Sequence, residues 1–164
     1  MIIKTFEAEK LKKNKSNLFL LYGDNEGFKN QIINKYLILE DNSKIIKYDE
    51  SEVFEKLEHL NAEIKNKSFF EDKKTIIIKR ASDKIYKIIE EYLTEPTEDL
   101  RIIINAGPLD KKSKLRNSFE KEKNLVCVPF YEDDNLTLSK LANKFFKEKK
   151  ILISQESINL LVER

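Results

Sequence analysis

Gly23-Asp24-Asn25-Glu26-Gly27-Phe28-Lys29-Asn30 follows an apolar strand and opens a helix, the position at which a phosphate-binding loop would act. Such a loop needs about four residues between its glycines and then Lys-Ser or Lys-Thr. Consecutive backbone N–H groups can then curl around the phosphates while a hydroxyl reaches Mg²⁺. Only three residues separate Gly23 from Gly27, Phe28 stands between Gly27 and Lys29, and Asn30 takes the place of the metal-binding hydroxyl. Asp24 and Glu26 add negative charge where an anion would sit. The expectation is a degenerate, non-functional phosphate loop made of Gly23, Gly27, Lys29 and Asn30, with no cofactor. Function is then to be sought at a protein-binding surface.

The remaining reactive side chains point to little chemistry. Cys127 cannot form an internal disulfide as the single cysteine, and in its apolar run it reads as a buried strand thiol. His59 lies off the apolar stripe of its helix, with no second histidine or neighbouring cysteine to complete a metal site. Asn105, at the end of its strand and without a working phosphate loop beside it, reads as a turn residue. Lys111, Lys112, Lys114 and Arg116 could meet DNA phosphates, yet on a chain with 27 lysines and 4 arginines they read as a solvated helix face. Ser68-Phe69-Phe70 places adjacent aromatics among charged residues. Isolated phenylalanines are usually core, but neighbours at a helix end point in different directions, so the pair also reads as an exposed hydrophobic wedge.

The elements that must position these residues alternate regularly. The continuous apolar run Leu18 to Tyr22 and the short stretches Lys44 to Tyr48, Thr75 to Ile78, Leu100 to Ile104 and Leu125 to Val128 read as five strands. Between them lie helical faces: Phe28, Ile32, Ile33, Tyr36 and Leu37; Val53, Leu57, Leu60 and Ile64; Ile85, Ile88, Ile89, Tyr92 and Leu93; and Leu115 with Phe119. Asp24 or Asn25 can cap the first helix, and Asp49 with Glu52 forms a capping box for the second. Parallel strands need crossovers of this length, so the expected class is α/β with a five-stranded parallel sheet flanked by helices.

Pro129 to Asn135 reads as a polar hinge into helices at about Leu136 to Lys149 and Ser154 to Glu163. The expected organisation is an α/β domain over 1–130 and a small helical unit over 131–164. The apolar residues of that unit (Leu138, Leu141, Phe145, Phe146, Ile158, Leu161) exceed what two helices can cover, so the chain is expected to end inside it. The 31 basic and 29 acidic side chains nearly cancel, which excludes the strongly basic field of a dedicated nucleic-acid binder. No apolar run approaches the ~20 residues of a membrane span, and the start of the chain does not read as a signal peptide. A cytoplasmic protein without membrane partners is expected.

Taken in order, the spoiled phosphate loop, Ser68-Phe69-Phe70 before the third strand, Leu109-Asp110-Lys111-Lys112-Ser113-Lys114-Leu115 after the fourth and Ile153-Ser154 opening a late helix resemble the delta subunit of the bacterial DNA polymerase III clamp loader. Ser-Phe-Phe is similar to the family's Ser-Leu-Phe clamp-binding element. The Leu109 to Leu115 stretch is similar to its Leu-Asp-Lys-Arg-Ser-Lys-Leu. The resemblance implies an AAA+ (P-loop NTPase) fold without ATPase activity, the start of a lid domain, and the absence of the family's C-terminal collar domain.

The resemblance further implies a mechanical role in DNA replication. Ser68, Phe69 and Phe70 would bind the ring-shaped sliding clamp, the beta subunit, and favour its open form. The other clamp-loader subunits would supply ATP chemistry and primed DNA would be threaded in the assembled complex. The alternatives are a divergent P-loop ATPase, opposed by the loop, and another protein-interaction module of the α/β class. A receiver-like domain is disfavoured because strand three ends in Lys79-Arg80 rather than an acceptor aspartate, and strand five ends at Pro129 rather than a lysine.

Overall fold

The computed structural model describes residues 1–38, 44–65, 74–94, 99–131 and 135–163. Five strands, β1 (Leu18–Gly23), β2 (Lys44–Asp49), β3 (Lys74–Ala81), β4 (Leu100–Ala106) and β5 (Val126–Phe130), form one sheet in the order β2-β3-β4-β1-β5. Every pairing is parallel, with Leu20 opposite Ile104 and Cys127, and Ile76 opposite Ile46 and Ile102. The α/β class with a five-stranded parallel sheet is the one the sequence pattern leads to. Continuous apolar runs are what the inner strands of such a sheet require, because helices cover both faces there, whereas the edge strand β2 is largely exposed.

One face carries Leu20, Tyr22, Ile76, Ile78, Ile102, Ile104 and Cys127. It packs against Val53, Leu60, Ile85, Ile89, Leu115 and Phe119 from α2 (Glu50–Glu55), α3 (Leu57–Lys65), the turn before α4 (Tyr86–Thr94) and α4 itself, and α5 (Lys114–Lys121). The other face carries Phe19, Leu21, Ile77, Ile103, Val126 and Val128. It is covered by Ile32 of α1 (Glu26–Ile32), Ile33 and Leu37 of the π-helical turn that extends it, and Ala8 and Leu11 of a 3₁₀ helix over Thr5–Lys13. That 3₁₀ segment has no strong apolar period and is not among the elements expected from the sequence.

Two expectations are corrected. The helix expected through Val53, Leu57, Leu60 and Ile64 breaks at Lys56, whose backbone leaves the helical region (φ −123°, ψ 39°). The phase shift turns Leu57 out to partial exposure while Val53, Leu60 and Ile64 stay buried. The hinge expected from Pro129 begins later, since Pro129 and Phe130 belong to β5, paired with Tyr22 and Gly23. Proline is tolerated there because β5 is an edge strand and its missing N–H costs no internal ladder bond.

The chain divides into two compact units, Met1–Phe130 and Tyr131–Arg164. The second contains α6 (Asn135–Glu148) and α7 (Gln155–Val162), the latter capped by Ser154, whose Oγ accepts from Ser157 N. Ile158 is buried, whereas Leu141, Phe145 and Leu161 are more than half exposed among the described residues. Also among the described residues, no helix is long and apolar enough to cross a membrane.

Candidate functional site

The carboxyl ends of parallel strands form the edge at which open α/β sheets bind ligands. Here that edge is occupied by the chain's own side chains. Asn25 caps α1 by accepting from Phe28 N at 3.0 Å. Lys29, one turn into the helix, points back under it and is 1% exposed. Its Nζ donates to the carbonyl oxygens of Gly23 (2.8 Å) and Ala106 (2.7 Å), the last residues of β1 and β4, and pairs with Glu26 Oε2 at 2.9 Å. Glu26 Oε1 in turn accepts from Asn105 Nδ2 at 2.7 Å and Asn30 Nδ2 at 3.2 Å. Burial works to raise the Glu26 pKa, but the hydrogen bonds from Lys29 and Asn105 outweigh it and hold the carboxyl below its ordinary value.

The two loop glycines serve different ends. Gly23 has φ +125°, and a Cβ built on it would lie 1.7 Å from the Phe130 carbonyl oxygen, so its bare Cα allows β1 to run against the end of β5. Phe28 closes the same corner edge-on against Phe130, with ring centroids 5.5 Å apart. Gly27 has ordinary φ, and a Cβ there would meet nothing closer than Asn25 Oδ1 at 4.0 Å. Neither glycine is arranged around an anion. Two strands away in the sheet, β3 ends in Lys79-Arg80-Ala81 and offers no acidic metal ligand there; Arg80 lies at φ 52° beside a register shift and pairs with Asp49.

The Leu109 to Leu115 stretch is built into the architecture. Asp110 Oδ1 accepts from the backbone N–H groups of Lys112 (2.7 Å) and Ser113 (3.0 Å). The Ser113 hydroxyl caps α5 by accepting from Arg116 N at 3.0 Å, and donates to Asp83 Oδ1 at 2.6 Å. Leu115 is fully buried and Leu109 packs against the same core. Arg116, expected on a solvated face with the lysines, instead lies over the Tyr22 ring at 5.1 Å, pairs with Glu120 at 2.8 Å and donates to Leu109 O. Lys111, Lys112 and Lys114 are exposed.

Other residues singled out from the sequence are structural. Cys127 is buried in β5, and burial pushes its thiol up to about 11. His59 Nδ1 lies 3.0 Å from the Tyr48 hydroxyl. Among the described residues no group of His, Cys, Asp or Glu is placed to hold a metal ion. Asn105 Oδ1 is buried with no partner among those residues. Ser68, Phe69 and Phe70 lie outside the described residues, between the end of α3 and the start of β3. What sequence reasoning missed was Glu26 as the partner of Lys29; their separation by three positions on a helix was the available signal.

The model of the family described as DNA polymerase III, delta subunit, matches residues 19–129. This chain belongs to that family. No individual curated protein matches its sequence. Among solved structures, this delta-family chain is similar to the Bacillus subtilis DNA clamp loader delta protein (YqeN), with a TM-score of 0.66 at 17% identity over 96% of this chain and 51% of that one. It is also similar to domain III of the Thermotoga maritima replication initiation protein DnaA, with a TM-score of 0.54 at 15% identity, covering 97% of this chain and 74% of the other. At these identities the likeness is one of fold. The delta-family chain spans about half the length of the Bacillus protein.

Proposed function

We propose that this delta-family chain acts in clamp loading during DNA replication as a protein-binding subunit that uses no nucleotide of its own. The observation that carries the reading is the pairing of the family match over residues 19–129 with a phosphate loop closed by the buried Lys29. Catalysis and ATP turnover then fall to other loader subunits, with which the protein assembles, and primed DNA is bound by the assembled complex. The contact with the sliding clamp is assigned to Ser68, Phe69 and Phe70, an apolar wedge that fits a hydrophobic cleft. To open a ring the wedge must bind the open form better than the closed one, since a partner shifts an equilibrium only by its differential affinity. The helical unit over 131–164 is read as the start of a lid.

The test is Phe69→Ala/Phe70→Ala, measured for thermal stability and for binding to the bacterial sliding clamp. Burying a phenylalanine contributes roughly 1.5–3 kcal/mol, so the double variant should bind on the order of a hundredfold or more weaker with its melting temperature unchanged. A large drop in melting temperature, or full clamp affinity in a folded variant, refutes the wedge. Titration of the wild type with a fluorescent ATP analogue and Mg²⁺ tests the rest of the reading, which saturable micromolar binding would contradict.

A further inference from the structure

In a working phosphate loop, N–H donors converge on a point that an anion fills. At the end of β1 the converging groups are oxygens: the Gly23 and Ala106 carbonyls and the Glu26 carboxylate surround one position at 2.7–2.9 Å. Three acceptors match the three N–H bonds of a primary ammonium. We propose that the polarity of the loop is reversed, making a site for a primary ammonium that Lys29 fills as a tethered ligand, and that this occupant fixes the ends of β1 and β4 against α1 without nucleotide.

Three observations carry this. A buried lysine left unpaired is costly, so a nearly fully buried ammonium implies that the oxygens around it suffice. The carboxylate is itself aimed, because Asn105 Nδ2 and Asn30 Nδ2 hold its second oxygen. Finally, the two carbonyls end adjacent parallel strands, so a single ammonium joins three elements at the edge where a bound nucleotide would otherwise do so.

The readouts need no clamp, so they are independent of the wedge. In the wild-type chain, amine-reactive labelling followed by mass spectrometry should find Lys29 modified at least about a hundredfold more slowly than the exposed Lys111 and Lys112, with the protection lost in urea. Glu26→Gln should raise the Lys29 labelling rate. Lys29→Ala should melt on the order of ten degrees lower, given the Gly23 and Ala106 carbonyls left without their ammonium and the loss of the ion pair to Glu26. Methylammonium chloride should recover part of that loss, and tetramethylammonium chloride at equal ionic strength should not. Labelling of Lys29 at the surface rate, a folded Lys29→Ala with wild-type melting, or a loss that methylammonium leaves unchanged would each overturn the proposal. If Lys29→Ala does not fold, the labelling of the wild-type chain and of Glu26→Gln decides.

Discussion

Asp83 and Ser113, thirty positions apart, share a 2.6 Å hydrogen bond in which the serine hydroxyl donates to Oδ1, and the same oxygen accepts from Leu115 N at 2.9 Å. One carboxylate thereby ties the loop after β3 to the first turn of α5. Ser113 completes the cap from its own position by accepting from Arg116 N. The conspicuous Leu109 to Leu115 stretch is therefore accounted for by helix capping and core packing. Losing such a cap costs about 1 kcal/mol. Asp83→Ala and Ser113→Ala should each destabilise by about 1–2 kcal/mol in urea unfolding, and the double variant should fall short of their sum because both remove the same bond.

Arg116 and the neighbouring lysines should separate cleanly under mutation. Arg116 stacks on Tyr22, pairs with Glu120 and binds a backbone carbonyl, so Arg116→Ala removes packing as well as charge. A loss of about 1–3 kcal/mol is expected. Lys111→Ala and Lys112→Ala, on an exposed loop, should stay within about 0.5 kcal/mol of wild type. Equal effects from all three would contradict the assignment.

That separation also marks what the sequence could and could not tell. The strands were legible because both faces of a parallel sheet are buried, which leaves continuous apolar runs such as Leu18 to Tyr22 and Thr75 to Ile78. The first helix and its Asn25 cap were legible from period and residue type. The break at Lys56 was not, because it depends on where Val53 and Leu60 must land on the sheet rather than on any local breaker. The placement of Pro129 and Phe130 in β5 was hidden by the turn propensity of proline, which only edge position overrides. Arg116 looked like one more surface cation since its partners, Tyr22 and Glu120, declare themselves only in three dimensions. Lys29 posed the same difficulty: its burial depends on Ala106, 77 positions away, whose backbone carbonyl carries no sequence signature.

Acid should weaken the closed loop in a defined direction. Glu26 is held below its ordinary pKa of 4.5 in the folded chain, because hydrogen bonds from Lys29 and Asn105 outweigh the effect of burial. A depressed folded pKa contributes stability that is complete above the unfolded value and is lost as pH falls through the folded one. The stability difference between wild type and Glu26→Gln should therefore be constant from neutral pH down to about 5 and shrink below it. A difference that persists unchanged at the most acidic pH where both still fold would show that the charge of Glu26 is not what matters.

The two glycines of the loop give the sharpest contrast. At Gly23 a side chain faces two penalties at once: φ of +125°, which L-residues rarely adopt, and a Cβ placed 1.7 Å from the Phe130 carbonyl oxygen. Backbone atoms cannot move aside as a flexible side chain can, so Gly23→Ala should cost more than about 4 kcal/mol or prevent folding. Gly27 sits in the first turn of α1 at ordinary φ with open space around its Cα. There alanine relieves the entropy that glycine forfeits in a helix, so Gly27→Ala should be neutral or stabilise by up to about 1 kcal/mol. Urea unfolding of the two variants, side by side, checks both signs. A loop that still cradled phosphate through its backbone would need both glycines; one whose glycine serves only the packing of β1 on β5 needs Gly23 alone.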